Sequence, residues 1–269
     1  GMGVLVFIMS FLSITGGSTI NLMKAESPGP SVSRLVPHVK DTAKILYKIY
    51  IFITVTEIIL LCAFGMPLFD SLTLSFGTVG TGGFGIKNSS IADYRPALQN
   101  IITVFMILSG VNYVAYFYLI SKQIKEVFHV EEIRIYFGVI LASSVFIAFN
   151  IRSLYPTIGE CFRHAFFQVG SIITTTGYAT TDFDLWPETS KTILVLLMFI
   201  GACAGSTGGG LKISRLLILC KSIPKQLSLF VHPREIKVIK MDGKAIEHQV
   251  MRATNVYLAI YFFIILGST

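Results

Sequence analysis

Apolar residues fall in long blocks along this chain, separated by shorter polar connections. A hydrocarbon layer about 30 Å thick takes roughly 20 helical residues to cross. Stretches of that order lie at 2–20, 44–64, 98–121 and 133–151. The stretch 189–230 exceeds one span and is interrupted at 201–210, while 253–267 is apolar but short. Two more apolar segments, 67–78 and 158–172, are too short to cross; each begins near a proline (Pro67, Pro156) and ends in a Gly/Thr-rich run. A short half-helix followed by irregular backbone reads as a re-entrant loop, because such backbone survives at membrane depth only where protein or a water-filled path covers it. The pattern predicts an all-α membrane protein.

The order of these elements is a span, then span, half-helix, loop and span twice over, then a last span. That is an internal repeat. Laying Gly82 on Gly177 gives an offset of 95 residues and sets Thr81 on Thr176. Each loop is followed by a polar, acidic stretch with a proline, SSIADYRP at 89–96 and TTDFDLWP at 180–187.

Composition agrees with a bilayer. Only 14% of the 269 residues are charged, against about 25% in a soluble domain, and mean hydropathy is +0.70. The net charge of +7 does not form a nucleic-acid-binding face. Connections 24–48, 121–134 and 212–252 hold 17 of the 22 Lys and Arg residues. The basic connections therefore face the cytoplasm and the loops face outside. The outer side also carries Asp70, Asp93, Asp182, Asp184 and Glu188, acids that would raise the local cation concentration. The four cysteines, Cys62, Cys161, Cys203 and Cys220, form no C-x-x-C pair and read as small buried hydrophobes.

The candidate chemistry lies in two segments, FGTVGTGGFG at 76–85 and SIITTTGYAT at 171–180. A dehydrated cation needs several oxygens in place of its water shell, and backbone carbonyls supply them without fixed charge, so the ion can also leave. Glycine permits the unusual backbone angles this takes, and Thr hydroxyls add further oxygens. The candidate filter residues are Val79, Gly80, Thr81, Gly82 and Gly83 in the first segment and Thr174, Thr175, Thr176, Gly177 and Tyr178 in the second. The ion itself is expected at Thr81, Gly82, Thr176 and Gly177. A third feature, GACAGSTGGGLK at 201–212, breaks an apolar run. Cys203, Ala204, Gly205, Ser206, Thr207, Gly208, Gly209 and Gly210 make a candidate gating loop, since so many glycines cannot hold a stable helix.

Glu57 and Asn112 lie inside expected spans, each either bonding a neighbouring helix or facing the pathway. Two motif matches fail on context. Gly80-x-Gly82-x-x-Gly85 lacks the strand and helix of a dinucleotide site, and Leu211 separates Gly210 from Lys212 where a phosphate loop needs Gly-Lys. No His or acid cluster suggests a membrane enzyme or a bound cofactor.

TVGTGGFG (78–85), SIITTTGYATTDFDLWP (171–187) and GACAGSTGGGLK (201–212) resemble the Trk/Ktr/HKT potassium transporter superfamily, most of all its bacterial TrkH type. The KAESPGP stretch at 24–30 adds to the likeness. The resemblance implies K+-channel-like helix–pore loop–helix repeats around one pathway, with a broken helix in the third repeat. It places the second helix of repeat one at 1–22, a cytoplasmic connection at 23–43, and repeat two at 44–122. Repeat three follows at 123–230, then a cytoplasmic connection at 231–251 and the first helix of repeat four at 252–269. It further implies K+ uptake across the bacterial inner membrane, a homodimer, contact with lipid and a cytoplasmic nucleotide-binding regulatory subunit of the TrkA kind. A Na+-coupled or Na+-permeable relative is the alternative, and a non-conducting scaffold a third reading. Gly80 and Gly85 stand where members often carry Ala or Ser, implying a looser second filter segment. The first and fourth filter segments are absent, so the resemblance implies the middle part of a longer protein.

Overall fold

The computed structural model describes residues 39–232 and 238–268; the expected span at 2–20 and most of the 23–43 connection lie outside the described residues. The chain is helical, as its apolar pattern predicts. It runs through α1 (Val39–Ala63), α2 (Leu68–Val79), α3 (Pro96–Ser109), α4 (Tyr113–Ile120), α5 (Ile124–His129), α6 (Glu131–Asn150), α7 (Ile158–Ile173), α8 (Glu188–Ile200) and α9 (Ile213–Val231). A two-stranded hairpin of β1 (Lys240–Met241) and β2 (Lys244–Ala245) precedes α10 (His248–Ser268).

Among the described residues, three helical stretches are long and apolar enough to cross a membrane: Lys44–Ala63, Glu131–Asn150 and His248–Gly267. The last is longer than the apolar block 253–267 suggests, because α10 begins in polar residues at His248. Helical hydroxyls are satisfied locally: Thr54, Thr73, Ser109 and Thr254 each donate to a carbonyl four residues earlier. That matters where no water is present to take the bond. Phe52, Phe69 and Phe263 are 71%, 69% and 76% exposed, a surface that suits lipid rather than water.

One expected span does not run straight. The block 98–121 is two helices, α3 and α4, bent by 94° at Gly110–Asn112. Asn112 causes part of the break: its side chain accepts the Val114 N–H at 2.9 Å and so caps α4. That side-chain oxygen is thus bonded within its own helix. Gly110 supplies the rest. A Cβ there would stand 2.2 Å from Tyr136 Oη and 2.9 Å from Thr174 Cγ2.

The hairpin was not expected in an all-helical chain. Asp242 and Gly243 both have positive φ, 51° and 74°, as a two-residue type I′ turn requires. Of the cysteines, Cys161 and Cys203 are buried, Cys62 is half-buried and Cys220 is exposed, so the expectation of four buried thiols fails for Cys220.

The two short helices sit at the centre. Helix α7 packs against α6, α3 and α8, and α2 against α1 and α3. Thr157 caps α7 by accepting the Glu160 N–H at 3.3 Å. Phe167 of α7 and Tyr178 beyond it are buried in the cluster formed by Leu61, Leu74, Leu98 and Met106, so the two halves interlock.

Gly110→Ala should destabilise the chain by about 1–3 kcal/mol through overpacking against Tyr136 and Thr174. A lowered thermal midpoint of the detergent-solubilised protein is the expected result; an unchanged midpoint would show that the Tyr136 ring swings clear.

Candidate functional site

Each Gly/Thr segment leaves the C-terminal end of a short helix, so the negative end of the dipole points toward it. The backbone then turns the same way twice. The Gly77 carbonyl accepts the N–H groups of Gly82 and Gly83 at 2.8 and 3.3 Å; the Ser171 carbonyl accepts those of Thr176 and Gly177 at 2.9 and 3.3 Å. Thr81 donates its N–H to Thr78 O and Thr175 to Ile172 O, both at 3.0 Å. Positive φ falls on Thr81 (51°) and Gly83 (67°) in one segment and on Thr175 (59°) and Gly177 (90°) in the other. The register is therefore Gly83 on Gly177 and Thr81 on Thr175, an offset of 94 residues and not 95. The doubled glycine at 82–83 hid the shift, because either residue can be laid on Gly177.

The segments touch. A Cβ on Gly83 would stand 1.8 Å from the Thr176 carbonyl oxygen. Tyr178 reaches across, its hydroxyl donating to Phe84 O at 3.1 Å and Leu74 O at 3.3 Å. Gly82 and Gly177 are exposed, whereas Val79, Thr174 and Thr176 are buried. Val79 belongs to the core with Phe105 and Tyr113. The Thr174 hydroxyl is spent on Gly170 O at 2.6 Å and on the Thr176 hydroxyl at 2.8 Å. Among the described residues, no hydrogen bond uses the carbonyls of Thr81, Gly82, Thr176 or Gly177. Gly80 is not a loosening residue in this backbone: a Cβ there would lie 2.7 Å from Phe76 O.

The stretch 201–212 separates α8 from α9 and lies against both segments. The Thr81 hydroxyl donates to Thr207 O at 2.9 Å, and the Thr175 hydroxyl accepts the Gly209 N–H at 2.6 Å. These are the two threonines at positive φ, a conformation costly for a β-branched residue. The loop also docks into the bend between α3 and α4. Cys203 N donates to Gly110 O at 3.0 Å, Tyr113 N donates to Gly205 O at 3.1 Å, and the Thr207 hydroxyl donates to Ser109 O at 3.1 Å. Two groups here were not singled out from the sequence. Glu132, 2% exposed, accepts the Ala204 and Ser214 N–H groups at 2.6 and 3.0 Å. Lys212, also buried, donates to Gly208 O.

The expected acids are engaged locally. Asp70 accepts the Tyr94 hydroxyl at 2.8 Å, Asp182 caps Asp184 N at 3.0 Å, and Glu188 pairs with Lys191 at 2.7 Å. Partial burial, with the Asp70 carboxylate beside it, pushes the Tyr94 hydroxyl up to about 12, so it remains a neutral donor at physiological pH. Glu57 of α1 is fully buried and faces Thr78 of the neighbouring helix α2, whose hydroxyl donates to Leu74 O at 2.8 Å.

The profile of the TrkH family, described as cation transport proteins, matches residues 1–269. The chain belongs to the TrkH family. The Trk system potassium uptake protein TrkH of Salmonella typhimurium is 34% identical over 273 residues, a match that covers all of this chain and 56% of that protein. The protein of the same name from Escherichia coli K12 gives the same figures, 34% over 273 residues. An uncharacterized cation transporter of Methanocaldococcus jannaschii is 25% identical over 262 residues. The crystal structure of the potassium transporter TrkH from Vibrio parahaemolyticus superposes with a TM-score of 0.82 at 28% identity, covering 99% of this chain and 55% of that one. The chain thus spans about half the length of these TrkH proteins. Membership of the TrkH family fits the three membrane-length helices of the described residues.

The contact between the segments predicts a steric rescue. A Cβ on Gly77 would lie 2.1 Å from Tyr178 Oη, but 3.2 Å from the ring carbon that carries it. Gly77→Ala should therefore destabilise the folded protein by about 1–3 kcal/mol, and adding Tyr178→Phe should recover much of the loss. Thermal midpoints of the two single variants and the double variant check this; strict additivity would refute the contact.

Proposed function

We propose that the chain carries part of a K+ uptake pathway across the bacterial inner membrane, with the two Gly/Thr segments as portions of the selectivity filter. The observation that carries this reading is the repeated backbone turn. It leaves carbonyls of Thr81, Gly82, Thr176 and Gly177 without hydrogen-bond partners among the described residues, beside glycines open to solvent. Carbonyls that are not spent on protein donors are available to a cation in place of its water shell. Oxygen dipoles at the ends of two helices favour a positive charge without trapping it. The relatives named as potassium uptake proteins support K+ as the ion over Na+.

The stretch 201–212 is proposed as the gate. It lies against the filter threonines through hydrogen bonds to Thr81 and Thr175, where it would obstruct an ion leaving the filter. Its glycines allow an alternative path for the backbone, and the bonds that hold it are few enough to exchange. The homodimer and the TrkA-like regulatory subunit are proposed with it. The exposed Lys240 and Lys244 of the hairpin offer a basic contact for such a subunit.

Expressed from its full gene, the protein should restore growth of a K+-uptake-deficient bacterium at low K+, and Gly177→Asp should abolish it by straining a φ of 90° and adding charge. Shortening 205–210 should raise flux. A well-inserted wild type that passes Na+ but no K+ would overturn the choice of ion; unchanged flux after shortening would overturn the gate.

A further inference from the structure

We propose that Glu132 is the positioning residue that latches the 201–212 loop in its obstructing position, an assignment that rests on the gate reading above. One carboxyl oxygen of Glu132 accepts both the Ala204 N–H at 2.6 Å and the Ser214 N–H at 3.0 Å. Ala204 belongs to the loop, and Ser214 to the first turn of α9. A single atom therefore fixes the loop to the start of the helix that follows it. The other bonds that hold the loop in the α3–α4 bend join neutral groups: Cys203 N to Gly110 O, Tyr113 N to Gly205 O, and Thr207 to Ser109 O. Bonds to a carboxylate are roughly twice as strong as neutral ones. The carboxylate also faces the positive end of the α9 dipole, which adds to the attraction.

The latch is mounted on an element that does not belong to the loop. Glu132 lies in the first turn of α6, and that helix end is tied down next door. The Glu131 N–H donates to Asp242 of the hairpin at 2.7 Å, while the Glu131 carboxylate pairs with Lys221 of α9. Lys221 also donates to Lys240 O at 2.9 Å. Glu132 is thus held by α6, α9 and the hairpin together. A loop swinging out of the pathway must break the Ala204 bond, whereas the Ser214 bond can survive. Lys212, whose ammonium donates to Gly208 O, faces the same carboxylate and offsets its charge. Burying a carboxylate is costly unless it is well bonded. A residue needed only to fill space here would be apolar.

The test is Rb+ or K+ uptake by the protein expressed from its full gene, normalised to the amount inserted in the membrane. Glu132→Ala should raise basal uptake on the order of tenfold, as the loss of hydrogen bonds to a charged acceptor would allow. Glu132→Gln keeps an oxygen acceptor at the same reach and should fall back toward the wild-type rate. That rescue separates a bonding role from mere bulk. Glu132→Asp keeps the charge but is one methylene short, and should also leak more than wild type. If Glu132→Ala does not insert, Glu132→Asp carries the test, and a wild-type rate in it would overturn the latch. Shortening 205–210 runs in parallel. Raised uptake there with wild-type uptake in Glu132→Ala would overturn the latch and leave the gate standing. Unchanged uptake after shortening would overturn the gate, and the latch with it.

Discussion

The arrangement depends on two interruptions in apolar helices that satisfy each other's backbone. In hydrocarbon an unpaired N–H or C=O costs several kcal/mol, so a broken helix needs partners from elsewhere in the protein. Here the bend at Gly110–Asn112 exposes the carbonyls of Ser109 and Gly110, and the break at 201–212 supplies Thr207 and Cys203 to meet them. The exchange runs both ways, since Tyr113 N returns a bond to Gly205 O. Neither break is tenable alone. Together they place a glycine-rich loop against the two Gly/Thr segments, where ordinary helix packing would have put side chains.

The same pairing fixes the segments above. Thr81 and Thr175 sit at positive φ, an unfavourable state for a β-branched residue. Each is held by its hydroxyl to the loop, Thr81 to Thr207 O and Thr175 to Gly209 N. Strain of this kind persists where the surroundings over-determine it. The backbone that the threonines turn then leaves its next carbonyls unbonded. The loop proposed as the gate is thus also what holds the two Gly/Thr segments in shape, so moving it would change them as well.

Much of this was legible in the sequence, and the rest was lost for identifiable reasons. Apolar blocks reveal helices because bilayer thickness sets their length, which is why α1 and α6 stand close to where hydropathy puts them. The short blocks before Gly82 and Gly177 were legible for the same reason in reverse, being too short to cross. The α3–α4 bend was missed because it interrupts hydropathy by only three residues, Gly110, Val111 and Asn112, although Gly-x-Asn inside an apolar block is a break signal. The hairpin was hidden among polar residues, and its one sign was Asp242-Gly243. The register of the two segments slipped by one because glycine at both 82 and 83 made the alignment degenerate; the shared acceptors, Gly77 O and Ser171 O, and the positive-φ positions resolve it.

Glu132 shows a different limit. At the start of an apolar helix, next to Glu131, it reads as one of two acids at a helix N-terminus, where carboxylates are favourable and usually solvated. The structure separates the two. Glu131 keeps contact with the polar hairpin and Lys221, while Glu132, one residue on and therefore turned about 100° around the helix, points into the protein and meets Ala204 and Ser214. Burial of one acid and not its neighbour depends on the direction of α6 relative to a loop some seventy residues away in sequence, and no local pattern carries that information. What was available locally was the demand side. A loop with seven consecutive residues from Ala204 to Gly210 that are poor helix formers or small leaves N–H groups needing acceptors. In a bilayer, the nearest acidic residue at a span's end is a natural source of one. A broken span and an acid at the mouth of its neighbour should therefore be read together.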